Sequence, residues 1–276
     1  MEIHPRPDLG YSWIFNMPYR KGQFVNQEIY HIVSRSIDDN LLFKDVNDYY
    51  RGIFSIYEFN NDKPVSIKHR REIRARFKKV IRGPTSDIRG RASDDSDNRN
   101  NLITNNIIEK DERAKFLEVL AFCLMPNHIH LLLRQLKNNG ITKFMAKFGS
   151  GYGGYFNRKY KRKGYVFQDR FKDVHITDDN QFKIVTTYIF TNPTSLVEPG
   201  WKEKGIKSLK KTRSFLENYK WSSYLDCIGI KNFPSVTDRE FLLKIMGKER
   251  GCKEAVENWI RYKKEINKFP EIFLDQ

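Results

Sequence analysis

Residues 119–134 have the sequence VLAFCLMPNHIHLLLR, and this stretch decides the predicted fold. Two apolar runs lie on either side of Pro126-Asn127, a dipeptide that is typical of a turn. Apolar runs of this length around a short break predict two strands joined as a hairpin. The sequence therefore predicts an antiparallel β-hairpin over these residues.

Elements on both sides of the hairpin give a β-α-β-β-α-β order. Residues 28–35 alternate and are rich in β-branched and aromatic residues, which predicts a strand, and residues 45–59 carry apolar residues at helical spacing. After the hairpin, a helix is predicted for residues 142–160 despite its glycines, and a fourth strand for residues 165–176. This order is that of a ferredoxin-like α+β sandwich with an antiparallel sheet.

Two regions lie outside this unit. Residues 62–108 contain a strongly basic run followed by Gly, Ser, Asp, Asn and Arg, with too few apolar residues to pack, which predicts a basic, partly disordered insertion. Residues 201–276 contain a Lys-rich linker and helical stretches, which predict a small helical C-terminal appendage. The main domain is accordingly predicted to comprise residues 1–200.

The overall charge indicates a polyanionic partner. The chain of 276 residues has a formal net charge of +16, and each Lys or Arg near a phosphate releases condensed counterions. The three cysteines lack disulfide or metal-ligand spacing, which fits a cytoplasmic location. No signal-peptide pattern opens the sequence, and no stretch approaches the roughly 18 apolar residues of a membrane span. We therefore expect no membrane partner.

A pair of histidines suggests a metal site. His128 and His130 are separated by one residue in a predicted strand, so their side chains project from the same face and both imidazoles can reach one ion. The same spacing is also found in polar patches at strand ends, and two histidines are too few to complete a metal site. Both interpretations stay open from the residues alone.

A second pair lies on the helix predicted to begin near Asp179. Tyr188 and Asn192 are four residues apart and therefore neighbours on one helix face, which brings a phenol and an amide oxygen to one region. Pro193 cannot continue the helical hydrogen-bond ladder, so the helix is predicted to kink or end there. The alternative is that Tyr188 is a boundary aromatic residue and Asn192 an ordinary helix-end residue.

Taken together, the motifs resemble the single-tyrosine HUH transposases, and most of all the REP-associated tyrosine transposases. The motifs that carry this resemblance are YHIVSR at 30–35, LMPNHIHLLL at 124–133, YFN at 155–157, GYVFQDRF at 164–171, YIFTNP at 188–193 and WSSY at 221–224. They occur in order over most of the chain, from about residue 28 to 225, and the basic insertion is the chief departure.

This resemblance implies a DNA transposase or strand-transfer enzyme that nicks and rejoins single-stranded DNA through a covalent phosphotyrosine intermediate. By similarity, Tyr188 is the nucleophile, His128 and His130 are the metal pair, and Asn192 is the third ligand of a Mg or Mn ion. The implied partner is single-stranded or hairpin DNA, bound by a monomer or homodimer. The alternative is a non-cleaving nucleic-acid-binding regulator on the same fold.

A basic and aromatic stretch is the predicted DNA surface. Residues 158–172 contain seven Lys or Arg against one Asp, interleaved with aromatic residues, and single-strand binding needs cations for phosphates and aromatic faces for unstacked bases. Arg35 and Arg134, in the predicted strands, either hold a phosphate or form structural ion pairs. The predicted DNA-binding residues are Arg35, Arg134, Arg158, Lys159, Lys161, Arg162, Gln168, Arg170 and Lys172.

Overall fold

The computed structural model describes residues 23–65, 111, 113–168 and 170–261, except for the side chains of residues 202 and 203. The first elements in chain order are β1 (Ile29–Arg35), α1 (Val46–Phe59), β2 (Leu117–Met125), β3 (His128–Gln135), α2 (Gly140–Lys159), β4 (Lys172–Ile176) and α3 (Asp179–Thr191). The later helices are α4 (Trp201–Lys204), α5 (Leu209–Leu216), α6 (Tyr224–Cys227), α7 (Arg239–Met246) and α8 (Lys248–Arg261). Short 3-10 segments cover Ile37–Asp39 and Asn192–Leu196.

The strands form one 4-stranded antiparallel sheet in the order β2-β3-β1-β4. The first and third strands therefore lie in the centre, as in a ferredoxin-like sandwich, and the predicted fold class is confirmed. The predicted hairpin is confirmed as well, with Pro126 and Asn127 joining β2 to β3. The register pairs Val33 with His130 and Arg35 with His128.

Each face of the sheet buries its own apolar layer. Helices α1 and α2 pack on the face that carries Ile32 and Ile129, and α3 packs on the face that carries Leu132. Because side chains alternate along a strand, His31 and His130 project from the same face as Leu132, toward α3. The histidines of β1 and β3 therefore share one side of the sheet.

Helix α2 is continuous across its glycines. Phe144, Phe148, Tyr152 and Phe156 recur every four residues and are buried against the sheet, which offsets the low helix propensity of the glycines between them.

The fourth strand is shorter than predicted. Residues 165–168 cross the end of β1, where they form an isolated bridge between Phe167 and Ser36, the residue after β1.

The region after residue 201 packs on the sheet. The Leu124 amide donates to the Trp221 carbonyl at 2.8 Å, and the Ser223 amide donates to the Phe122 carbonyl at 3.0 Å, which extends the free edge of β2. Leu242 and Trp259 belong to the same hydrophobic cluster as α3. The division near residue 200 stays a prediction. The predicted insertion falls mostly outside the described residues.

No helix within the described residues is both long enough and apolar enough to cross a lipid bilayer.

Candidate active site

The predicted nucleophile and the predicted metal pair meet on the α3 face of the sheet. The ring centroids of His130 and Tyr188 are 5.6 Å apart, and those of His128 and His130 are 4.9 Å apart. All three residues belong to the same chain. The candidate site therefore brings together three residues of one chain.

Local sequence explains how α3 presents its residues. Asp178 caps the helix, since its side chain accepts a hydrogen bond from the Gln181 amide at 2.8 Å. Phe182, Val185 and Ile189 are buried against the sheet, and this orientation turns Tyr188 toward His130. At the other end, Asn192 is the C-cap residue and opens the 3-10 segment that contains Pro193, so the α-helix ends where the sequence predicts.

Sequence reasoning missed one residue of this cluster, His31 on β1. Its Nε2 lies 3.0 Å from Nδ1 of His130, its ring centroid is 6.2 Å from that of Tyr188, and its side chain is fully buried. The sequence contains one signal for His31, which lies on the same face of its strand as Val33 and Arg35. That signal becomes informative only when β1 is known to pair with β3.

Hydrogen bonds determine which nitrogen of each ring can serve as a ligand. His128 Nδ1 lies 2.7 Å from Oδ1 of Asn127, and an amide oxygen can only accept, so Nδ1 carries the proton. His130 Nδ1 is bonded to His31 Nε2. With both Nδ1 atoms engaged, a ligand role falls to Nε2 of each ring, as is usual where a second residue orients a metal-binding histidine.

The donor set suits a divalent ion. If Asn192 supplied an amide oxygen beside the two imidazole nitrogens, coordination positions would remain for phosphate oxygens and water, as a catalytic site requires. Within the described part of the chain, no group of three or more His, Cys, Asp or Glu residues is arranged to hold a metal. A site on His128 and His130 would therefore depend on the amide and on the substrate for its other ligands.

The cluster is closed to solvent. Tyr188 is 1% exposed, Asn192 is 3% exposed and His128 is 8% exposed. A DNA phosphate can reach the phenol only after part of the surrounding chain has moved.

Two of the predicted DNA-binding cations flank the histidine pair. Arg35 is the cross-strand partner of His128, and Lys172 is the partner of Val33, which in turn pairs with His130. Cross-strand partners share a face of the sheet, so both cations lie on the Tyr188 side. Arg35 also donates to Asp39 at 3.0 Å, a pair that is partly exposed and easily exchanged for a phosphate.

Arg134 is committed to an ion pair inside the protein. Its Nε donates to Glu118 at 2.6 Å, and its guanidinium lies 4.5 Å from the ring centroid of Phe241. Of the two roles left open for Arg134, the structure shows the ion pair.

The other predicted DNA-binding residues lie around the end of α2 and the loop that follows. Arg162 is half-buried, with its guanidinium 5.6 Å from the ring centroid of Phe156. The exposed members of this group are Arg158, Lys161, Gln168 and Arg170.

Lys159 is exposed, but its ammonium reaches a cluster of polar groups around the buried Asp48. Its ammonium lies 2.6 Å from the fully buried Asp48 carboxylate, which also accepts hydrogen bonds from the Tyr155 and Tyr160 hydroxyls. Burial raises the pKa of Asp48, but the hydrogen bonds from Lys159, Tyr160 and Tyr155 outweigh burial and leave that pKa below its ordinary value. Lys159 thus joins α2 to α1, and its role in DNA binding stays a prediction.

Replacing Asp48 with Asn should destabilise the protein by about 1–3 kcal/mol at pH 7, because the amide has one accepting oxygen in place of the two that take hydrogen bonds from Lys159, Tyr155 and Tyr160. A carboxylate with a depressed pKa stabilises the fold above its unfolded pKa of about 3.9, and the contribution is lost as pH falls through the folded pKa. In urea unfolding, the difference from wild type should therefore shrink below that pH. Asp45 is the exposed second carboxylate partner of Lys159, at 2.7 Å, and such exposed pairs contribute little; Asp45→Asn keeps the helix-capping oxygen and should change stability far less, and equal losses would contradict the prediction.

Comparison with known proteins gives a family match over part of the chain and a distant structural similarity. Residues 93–192 match the model of the family described as "Transposase IS200 like". A solved structure described as "Structure of the REP associates tyrosine transposase bound to a REP hairpin" is similar over 80% of this chain and 94% of that chain, with 14% identity and a TM-score of 0.41. The search of curated proteins gives no match.

Proposed function

We propose, from the match of residues 93–192 to the model of the IS200-like transposase family, that this chain is a transposase that nicks and rejoins single-stranded DNA with Tyr188 as its covalent nucleophile. The observation that supports this proposal most is the meeting of Tyr188 with His130, whose ring centroids are 5.6 Å apart. The matched segment contains both histidines of the pair, Tyr188 and Asn192.

The proposed reaction exchanges one phosphodiester bond for another. The Tyr188 oxygen attacks the scissile phosphorus, the bond from phosphorus to the 3′ oxygen breaks, and the released oxygen takes up a proton to become a 3′ hydroxyl. The 5′-phosphotyrosine polarity follows from the family resemblance. Because the phosphotyrosine keeps the bond energy, a 3′ hydroxyl can attack it and rejoin the strand without ATP.

The surrounding residues would assist this exchange. A free tyrosine has a pKa of about 10, so attack at neutral pH needs electrostatic help. A Mg or Mn ion on His128, His130 and Asn192 would neutralise phosphate charge and make the phosphorus more electrophilic. Arg35, the neighbour of His128, would hold a non-bridging phosphate oxygen. His31 would keep Nε2 of His130 directed at the site.

One observation favours a second candidate, a DNA-binding regulator that does not cleave. Tyr188 is 1% exposed, so the protein as described presents no accessible nucleophile. This candidate uses the basic surface but not the chemistry of the Tyr188 cluster.

A covalent adduct distinguishes the two candidates. Wild-type protein incubated with labelled single-stranded and hairpin oligonucleotides and Mn²⁺ or Mg²⁺ should give a protein-DNA band that survives denaturing electrophoresis. A chelator should prevent the band and leave non-covalent binding in place, because the ion acts on the chemistry and the cations hold the phosphates. DNA binding without an adduct under either metal would favour the regulator.

A further inference from the structure

Helix α2 carries glycines that its own packing does not require. A Cβ at Gly149 would meet no atom within 4 Å, and a Cβ at Gly153 would meet only Val166, at 3.7 Å and beyond. Gly151 is different, because a Cβ there would clash with the ring of Phe59. Glycine destabilises a helix interior relative to alanine. The space beside Gly149 and Gly153 is thus open, and the two glycines that leave it open make the helix less stable than alanine would.

That space is part of an open cavity. A cavity of about 1050 Å³ lies between this side of α2 and residues 164–173. Its size is at the upper end of the range of about 300–1,000 Å³ that holds small organic ligands. A ligand at least as large as a nucleotide can therefore enter it.

The cavity offers aromatic faces. Phe148, Phe167 and Phe171 line it, and Tyr165 stands at its mouth with 86% of its surface exposed. A tyrosine this exposed gains little from its own fold and is well placed to stack on a planar group. Aromatic faces accept any unpaired base, since every base has a π-face.

Charge and polarity around the cavity also favour a nucleic acid. Arg170 lines it beside Asp173, and the exposed Arg158, Lys161 and Lys163 surround the same end of α2. Asn157 is in the cavity wall; its amide nitrogen donates to the Gly164 carbonyl at 2.7 Å, whereas its buried Oδ1 has no hydrogen-bond partner among the described residues. Such an oxygen can accept from an amino group of a base.

We propose that this cavity, on the sheet face opposite Tyr188, binds unpaired nucleotides of the DNA strand. The inference rests on the proposed function, and it adds a place where part of the substrate is held away from the chemistry. Strand β4 connects the two places, since it is the sheet edge next to β1. Lys172 projects from its Tyr188 side and Asp173 from its cavity side, so a strand that passes around this edge reaches both.

The test fills the cavity without damaging the helix. Gly149→Leu should leave the melting temperature unchanged or raise it, because leucine favours a helix and its Cβ meets nothing. The affinity for a labelled oligothymidylate of about 16 nucleotides, measured by fluorescence anisotropy, should fall at least fivefold. Affinity for a blunt duplex of the same length should not change, because its bases are not available to stack.

A second substitution removes the stacking face without filling space. Tyr165→Ala should weaken oligothymidylate binding by a factor of five or more, the lower end of what one base-aromatic stack contributes, taken as about 1 kcal/mol. The matched control is Tyr50→Ala, which removes another exposed tyrosine that lies on α1 and away from the cavity. Unchanged affinity in both Gly149→Leu and Tyr165→Ala would overturn the proposal and would point to another occupant, such as an apolar protein segment.

The two proposals fail in different ways. If wild-type protein forms the adduct and both cavity variants bind DNA normally, the cavity assignment is wrong and the strand-transfer function stands. If both variants lose single-strand binding and wild-type protein forms no adduct, the cavity assignment holds and the strand-transfer function is wrong.

Discussion

Replacing Tyr188 with Phe should abolish the covalent protein-DNA adduct and leave single-stranded DNA binding within about twofold of wild type. Phenylalanine keeps the ring that packs beside His130 and His31, so the fold loses only a hydroxyl, a change of about 1 kcal/mol. The reaction loses its nucleophilic oxygen entirely, and no other group takes over a covalent step. Denaturing electrophoresis of the reaction with labelled oligonucleotide and Mn²⁺ measures this directly.

A second buried tyrosine supplies the control. Tyr224 is 3% exposed and belongs to the same hydrophobic cluster as Tyr188, so Tyr224→Phe makes the same chemical change in similar surroundings. We expect that variant to form the adduct at the wild-type level. An adduct that persists in Tyr188→Phe would refute the assignment of Tyr188, and peptide mapping of the adduct would then identify the nucleophile.

Replacing His130 with Ala should also abolish nicking, for a different reason. The change removes one of the two proposed imidazole ligands and the ring that lies against Tyr188, while the exposed cations proposed to hold phosphates stay in place. Oligonucleotide affinity should therefore remain near wild type. Mn²⁺ binding should be lost, and the electron paramagnetic resonance signal of the free ion measures that loss. If DNA binding disappears along with nicking, the pair has a structural or direct DNA-binding role.

A substitution of His31 should weaken metal binding less than His130→Ala does. His31→Phe keeps a buried ring but removes the hydrogen bond to Nδ1 of His130, and loss of such an orienting partner typically weakens metal affinity by about 10- to 100-fold. His175→Ala is the matched control, since His175 is an exposed histidine on β4 paired with Glu28. Equal Mn²⁺ affinity in His31→Phe and wild type would show that His31 only packs.

Much of the architecture was predictable because it depends on residues close together in the chain. The two apolar runs around Pro126-Asn127 predicted the hairpin, and the spacing of apolar residues predicted α1, α2 and α3 within a few residues of their ends. The spacing of His128 and His130, and of Tyr188 and Asn192, placed each pair on one face of its own element. Strand and helix periods determine such placements without reference to the rest of the fold.

The spacing within each pair did not predict that the two pairs would lie together, because local spacing does not say which elements pack together. The sequence alone led to one site only through the order of its motifs, and the structure shows the juxtaposition itself at Tyr188 and His130. The sequence analysis missed His31 because its role depends on β1 lying beside β3. His31 and His130 are 99 positions apart in the chain.

The sequence by itself determined the elements, the basic surface and the two residue pairs, since periodicity, charge and spacing are properties of neighbouring residues. Only the tertiary structure decided what each predicted cation contacts: Arg134 pairs with Glu118, Lys159 pairs with Asp48, and Arg35 lies beside His128. It also decided that Tyr188 is buried and that the glycines of α2 border a cavity. Burial and long-range pairing depend on which faces cover one another, and that depends on the whole chain.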